Sequence, residues 1–255
     1  MQDVLNRFLP ALEALPGEIS VYAKDLETGE SCAFQPDIPL VAASVIKIPI
    51  LIEAFRRERD GEISMEEMFS VEKEGKVPSC GALTYLHDGI QVTLRDLCVL
   101  MIILSDNTAT NMLIERLGIA PVNDTLRALG LEKTILRRKL FDSEASRRGI
   151  QNHITAGEMG MLLEKMYRGE CISKEADEKM LSILRDQRLN GKIPFFLSDY
   201  EIAHKTGEDD GTTHDVGIVY AKHPILLCFA SNHTDVPAFE RLMQDMSKAF
   251  VEAAQ

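Results

Sequence analysis

Apolar positions along the chain follow two periods, and the switches between them predict its layout. Near the N-terminus Val4, Leu5, Phe8, Leu12 and Leu15 recur at helical spacing until Pro16-Gly17 ends the segment. Ile19, Val21 and Ala23 then alternate with polar neighbours, Leu26-Glu27-Thr28-Gly29 reads as a turn, and Ser31 to Phe34 returns as the second strand of a hairpin. From Val45 to Arg59 the spacing is helical again. Its first half is apolar, its second half is charged (Arg56, Arg57, Glu58, Arg59), and Asp60-Gly61 is the stop. Further helices are predicted over 93–104, 107–117, 121–129, 155–168 and 173–186. Strand character returns at 200–206 (YEIAHKT), 214–221 (HDVGIVYA) and 224–231 (PILLCFAS), the last two with the near-continuous apolar runs of a covered sheet. A helix from Pro237 to Ala253 closes the chain.

Strands at both ends with helices between them predict an α+β or α/β fold. One antiparallel sheet is built from the N- and C-terminal strands with flanking helices, and an all-helical lobe is inserted in the middle. Residues 1–45 and 187–255 are expected to form the α/β lobe and 46–186 the mainly helical one, with the active site in the cleft between them. A length of 255 residues, 45% apolar and 27% charged, suffices for a substantial core that folds unaided. No internal repeat or low-complexity tract breaks it.

Charge narrows the partners. A net −12 repels phosphate backbones and anionic lipid, which argues against nucleic acid and membrane surfaces, while a cleft holding a few cations can still attract a small anion. The five cysteines (Cys32, Cys80, Cys98, Cys171, Cys228) are irregularly spaced without a C-x-x-C pair, and read as small buried apolar side chains. No apolar run reaches the ~18 residues of a membrane span. The opening MQDVLNRFLPALEALPGE has no basic n-region, apolar h-region or cleavage site. A cytoplasmic monomer is the expectation, secreted only if a leader was removed.

Three short motifs carry chemistry. In Ser44-Val45-Ile46-Lys47 the serine starts a helix and the lysine lies three positions on, on the same face, so its amine can reach the hydroxyl. Ser70-Val71-Glu72-Lys73 has the same pattern in a polar stretch, where nothing desolvates the lysine, and is assigned to chance. Val45, Ile46, Ile48, Pro49, Ile50 and Leu51 surround Lys47 with apolar surface, which disfavours the ammonium and makes a basic, neutral amine attainable. Ser105-Asp106-Asn107 reads either as a capped turn between helices or as a hydroxyl and a carboxamide able to relay a proton and hold an amide. Lys205-Thr206-Gly207, at the end of a predicted strand, reads either as an edge lysine before a turn or as a cation, a hydroxyl and a site of close backbone approach.

In the order S-x-x-K, S-D-N, K-T-G, separated by 61 and 100 residues, the chain resembles the class A β-lactamase-like serine hydrolases among the penicillin-recognising serine enzymes. The stretch TLRDLCVLMIILSDNTATNMLIERLG looks like that family's central helices, and the resemblance covers nearly the whole chain. It implies that Ser44 attacks a carbonyl to form an acyl-enzyme, that Lys47 accepts the proton, and that Ser105 passes a proton to the leaving nitrogen. It further implies that Asn107 holds the acyl-side amide, that Lys205 and Thr206 bind a substrate carboxylate, and that backbone N–H groups of Ser44 and Glu208 form the oxyanion hole. No cofactor or metal is implied. The partner is a small amide or lactam bearing a carboxylate.

Two departures from the family keep alternatives open. Its E-x-x-L-N segment is replaced by LRRKLFDSEASRRGIQNHITAGEM, where counting back from Thr155 puts Lys139 at the glutamate position. Asp142 and Glu144 are the nearby substitutes, each expected to pair with Arg137, Arg138, Arg147 or Arg148. No arginine lies between Lys205 and Arg241 to assist carboxylate binding, and His214 and Asp215 occupy the neighbouring strand instead. His204, His214, His223 and His233 recur at nine- or ten-residue intervals without strand geometry that would gather a metal. Three readings follow: a β-lactam-opening hydrolase, an esterase, amidase or DD-peptidase-like enzyme on the same fold, and a penicilloyl-binding sensor that stays acylated.

Overall fold

A computed structural model describes residues 1–78 and 80–254. The first third of the chain contains α1 (Gln2–Ala14), β1 (Glu18–Asp25), β2 (Ser31–Phe34), β3 (Leu40–Val41), α2 (Lys47–Arg59), β4 (Met68–Val71) and β5 (Ile90–Thr93). A helical stretch follows, with α3 (Leu94–Ile103), α4 (Asn107–Leu117), α5 (Ile119–Ala128), α6 (Ser143–Arg147), the short β6 (His153–Ile154), α7 (Ala156–Arg168) and α8 (Lys174–Arg185). The chain ends with β7 (Ile202–Asp209), β8 (Thr212–Val219), β9 (Ile225–Asn232) and α9 (Val236–Ala253).

Five strands form one antiparallel sheet in the order β2-β1-β9-β8-β7, so the N-terminal hairpin pairs with the C-terminal strands. Side chains alternate across a strand, which gives the sheet two cores. Leu227 and Phe229 of β9 join Leu5, Leu12, Phe239, Met243 and Phe250 under α1 and α9. Leu226, Cys228 and Ala230 join Leu162 and Leu163 of α7 and the buried residues of α2 on the other face. Every residue of β8 and β9 is buried, as their apolar runs predict. Each such Leu or Phe contributes about 1.5–3 kcal/mol relative to exposure.

Helix α2 runs through the middle of the second core, with Lys47 to Phe55 all buried. Its buried carboxylate is Glu53. Burial raises the carboxyl's pKa, but bonds from Arg56, Arg57 and Thr125 outweigh it and hold the net value below the ordinary one.

The structure departs from the sequence expectation in several places. Lys205-Thr206-Gly207 lies within β7 rather than at its end, because Gly207, Glu208 and Asp209 continue the ladder opposite His214, Thr213 and Thr212. The polar run only looked like a turn; the two-residue turn is Asp210-Gly211, with Gly211 at φ 61°. Ser44 sits in a 3-10 turn over Ala43–Ile46 that precedes α2. The helical insert also carries a β4–β5 ribbon, and β3 pairs with β6. Cys32, Cys98, Cys171 and Cys228 are buried, whereas Cys80 is exposed. Among the described residues no helix is long and apolar enough to cross a membrane.

Candidate active site

In the 3-10 turn, residues three apart nearly eclipse, so Lys47 stands over Ser44, and Ala43, with φ 42°, sets the sharp entry. The second contribution comes from the α3–α4 junction. Helix α3 opens on a capping box between Thr93 and Asp96 and is held by the buried Leu97, Met101 and Ile102. Ser105 then takes φ 54°, an uncommon conformation for a residue with a side chain, which turns the chain into α4. Asp106 fixes that turn. One carboxylate oxygen caps α4 at the Ala109 N–H (2.9 Å) and the other accepts from the Ala82 and Leu83 N–H groups (2.7 and 2.9 Å). Gly81 (φ 117°) lets the loop lie this close, since a Cβ there would meet the Asp106 carboxylate at 2.3 Å.

The third contribution is β7, which runs directly beside the 3-10 turn. A Cβ on Gly207 would fall 2.9 Å from His214, 3.2 Å from Val45 and 3.3 Å from Ala43. Lys205 therefore reaches the junction. Its Nζ lies 3.1 Å from Ser105 Oγ and donates to the Thr206 carbonyl at 2.8 Å.

At the centre, Lys47 Nζ has four oxygens within reach: Ser44 Oγ at 2.9 Å, Ser105 Oγ at 2.9 Å, the Ser105 carbonyl at 2.8 Å and Asn107 Oδ1 at 2.8 Å. Both carbonyl-type oxygens can only accept. A neutral amine has two N–H groups for those acceptors and a lone pair left for a serine O–H, so this geometry suits a proton acceptor. Electrostatics favour the same state. Burial, and after it the charge of Lys205, push the Lys47 pKa well below its ordinary value. Burial also lowers Lys205, to about 7, with Asp215 opposing and Lys192 adding to the shift. The other S-x-x-K is scattered: Ser70 bonds Glu72 on the β4–β5 ribbon, and Lys73 is exposed.

Ser44 and Asn107 open onto a cleft of about 590 Å³, with Glu208 and Asp209 on one wall and residues 138–146 on the other. Counting along the sequence put Lys139 at this wall. Its side chain points outward instead, to an ion pair with Glu115 on α4, and Leu140 faces the cleft. Asn111 causes this by clamping the Leu140 backbone, accepting from its N–H (2.8 Å) and donating to its carbonyl (2.9 Å). Asp142 lines the cleft, but as the N-cap of α6, bonded to the Ala145 N–H. The expected arginine pairing of Asp142 and Glu144 is not made among the described residues. Arg138 spends its guanidinium on Gln151 and on the Ile150 and Lys139 carbonyls.

The β8 residues proposed near the missing arginine are engaged in structure. His214 donates from Nε2 to the Val41 carbonyl and accepts the Ser231 N–H at Nδ1; burial lowers its pKa to about 4, so it is neutral. Asp215 holds His204 and the Ile193 N–H. The sequence reading missed Lys192. This lysine is buried beside Thr206, with Glu208 at 2.7 Å and Glu240 at 3.5 Å, on a side cavity of about 210 Å³. Only a turn-like Asn-Gly-Lys pointed to that segment. Cys80, at the mouth of the cleft, was missed because cysteine usually packs inside. Among the described residues no group of His, Cys, Asp and Glu could hold a metal.

Comparison with known proteins agrees with this arrangement. A model of the family described as "Beta-lactamase enzyme family" matches residues 2–254. A β-lactamase of Streptomyces lavendulae is 26% identical, over 91% of this chain and 79% of that one. Among solved structures, a β-lactamase from Sphaerobacter thermophilus superposes with TM-score 0.91 at 29% identity, covering 99% of this chain and 97% of that one. PBP-A superposes at 0.89 and 27% identity, covering 99% and 96%, and a mutant of it was solved as an acyl-enzyme with penicillin G.

Proposed function

Because this chain belongs to the β-lactamase enzyme family, it is a serine hydrolase of β-lactams, and we propose that Ser44 is its nucleophile and Lys47 the base. The observation that carries the assignment is Lys47 Nζ within 2.9 Å of Ser44 Oγ while buried among acceptors. As Ser44 Oγ bonds to the lactam carbonyl carbon, its proton passes to the Lys47 lone pair. The carbonyl oxygen, now anionic, faces the backbone N–H groups of Ser44 and Glu208, donors of a kind worth about 2.7–4 kcal/mol each in the transition state. When the C–N bond breaks, the leaving nitrogen takes the Ser105 hydroxyl proton while the Lys47 ammonium returns the Ser44 proton to Ser105 Oγ, which leaves both groups as they began.

The remaining roles follow from position. Asn107 holds the acyl-side amide, and Lys205 and Thr206 take the substrate carboxylate, with the Lys192–Glu208 ion pair beside Thr206. The cleft lies between a lobe of residues 1–45 and 187–255 and a lobe of residues 46–186. Water then releases the acyl group from Ser44. With Leu140 on the wall and Lys139 turned outward, this second half of the cycle is the slow one.

Mixing the protein with a chromogenic cephalosporin and following both absorbance and intact mass tests the reading. A stoichiometric burst, an adduct on Ser44 and slower steady turnover are expected. Absence of both adduct and turnover would overturn the assignment.

A further inference from the structure

Three acidic residues line the cleft that holds Ser44: Asp142 at the start of α6, and Glu208 and Asp209 at the end of β7, the Glu208 carboxylate turned to Lys192. One guanidinium stands against them. Arg138 lines the same cleft, but its guanidinium donates to the Ile150 carbonyl (3.1 Å), the Lys139 carbonyl (3.0 Å) and Gln151 Oε1 (2.7 Å), all in its own loop. Lys192 is neutralised by Glu208 and Glu240. Lys47 and Lys205 are buried behind the serines, and burial lowers the pKa of both, so near neutral pH they supply less than two full charges.

The lining thus sets three carboxylates against the one Arg138 guanidinium and is net negative, within a chain of formal charge −12 that supplies no compensating field. The carboxylates also stay available to a ligand: the Glu208 side chain is 60% exposed even while bonded to Lys192. Beside them stand Leu140 and Phe141, the latter half exposed at φ 60°, an apolar surface for the body of an acyl group.

We infer that this cleft selects acyl donors whose acyl portion carries a cation, such as an ammonium, over donors carrying an anion there, with Glu208, Asp209 and Asp142 as the specificity-determining residues. The inference rests on acylation at Ser44. Each unit charge some 8 Å away across water is worth about twofold, so the three carboxylates less the Arg138 guanidinium favour a cation about fivefold and disfavour an anion about fivefold relative to an uncharged donor.

Penicillins that share one nucleus and differ in a single side-chain group test it, because their common carboxylate cancels in the ratio. Second-order acylation rates of the full chain are read by time-resolved intact mass at about pH 6, where a side-chain amine is protonated. Ampicillin (ammonium), benzylpenicillin (uncharged) and carbenicillin (carboxylate) are the probes. Ampicillin should exceed carbenicillin roughly thirtyfold, with benzylpenicillin about midway, and the ratio should shrink towards one in about 1 M salt. Asp209→Asn and Asp142→Asn should each reduce the ratio about fivefold. Carbenicillin reacting as fast as ampicillin overturns the inference, as does a ratio that survives both salt and the substitutions. The salt series needs only the native protein, so it decides even if a variant fails to fold. Failure of benzylpenicillin itself to acylate Ser44 would overturn the proposed function, and the inference with it.

Discussion

Ser44-Lys47 and Ser70-Lys73 spell the same pattern, and the fold places them in opposite environments. The first pair has an apolar helix behind it and a second lysine beside it; the second lies on an exposed ribbon where Ser70 bonds a glutamate. Spacing is identical, so spacing is not what makes a nucleophile. Desolvation is. Lys73 is exposed, whereas burial, and after it the neighbouring Lys205 cation, disfavour the ammonium of Lys47 and make proton acceptance by a neutral amine accessible.

The sharpest break of this comparison is removal of the hydroxyls. Ser44→Ala should abolish the penicillin adduct in intact-mass spectra, while Ser70→Ala should leave its rate unchanged; an adduct persisting on Ser44→Ala would reassign the nucleophile. Next in size come the amines. Lys47→Met should slow acylation by about 10²- to 10⁴-fold and Lys73→Met should not, with Lys47→Arg as poor as Met because a guanidinium does not deprotonate.

The same two sites separate in stability. Lys47 and Lys205 have folded pKa values below their unfolded ones, so between about 7 and the ordinary lysine value near 10.4 the unfolded chain binds more protons. Stability should therefore rise with pH across that window. Lys47→Met should raise the melting temperature at pH 7, by about 2–4 °C per kcal/mol gained, and flatten the pH dependence, while Lys73→Met does neither. A melting temperature independent of pH from 7 to about 10 would count against the buried-amine account. The smallest effect is geometric. Gly207→Ala must push β7 away from Val45 and Ala43, and is expected to cost about 1–3 kcal/mol in stability and to slow acylation, measurable by denaturant titration and single-turnover rates.

Much of this was legible in the sequence because the strongest signals are periodic. The covered strands β8 and β9 and the long helices α2, α3, α4 and α7 follow from apolar spacing, and the gathering of Ser44, Lys47, Ser105, Asn107 and Lys205 into one cluster from motif order. Features that rest on one or two tertiary contacts were not legible. The two-residue strands β3 and β6 have no period to detect. Whether Lys139 or Leu140 faces the cleft depends on Asn111, far away in sequence, gripping one peptide unit. Lys192 gains its position only when its loop folds against Glu208 and Glu240.

The bonds that meet at Ser105 span 58 residues to Lys47 and 100 to Lys205. Contacts of such separation close long loops and form late, after the local helices. A collapsed chain with its helices in place would still lack the bonds that join Lys47 and Lys205 through Ser105. Regain of penicillin labelling after dilution from denaturant should therefore lag the return of helical signal, which makes the acyl adduct a chemical clock for the last step of folding.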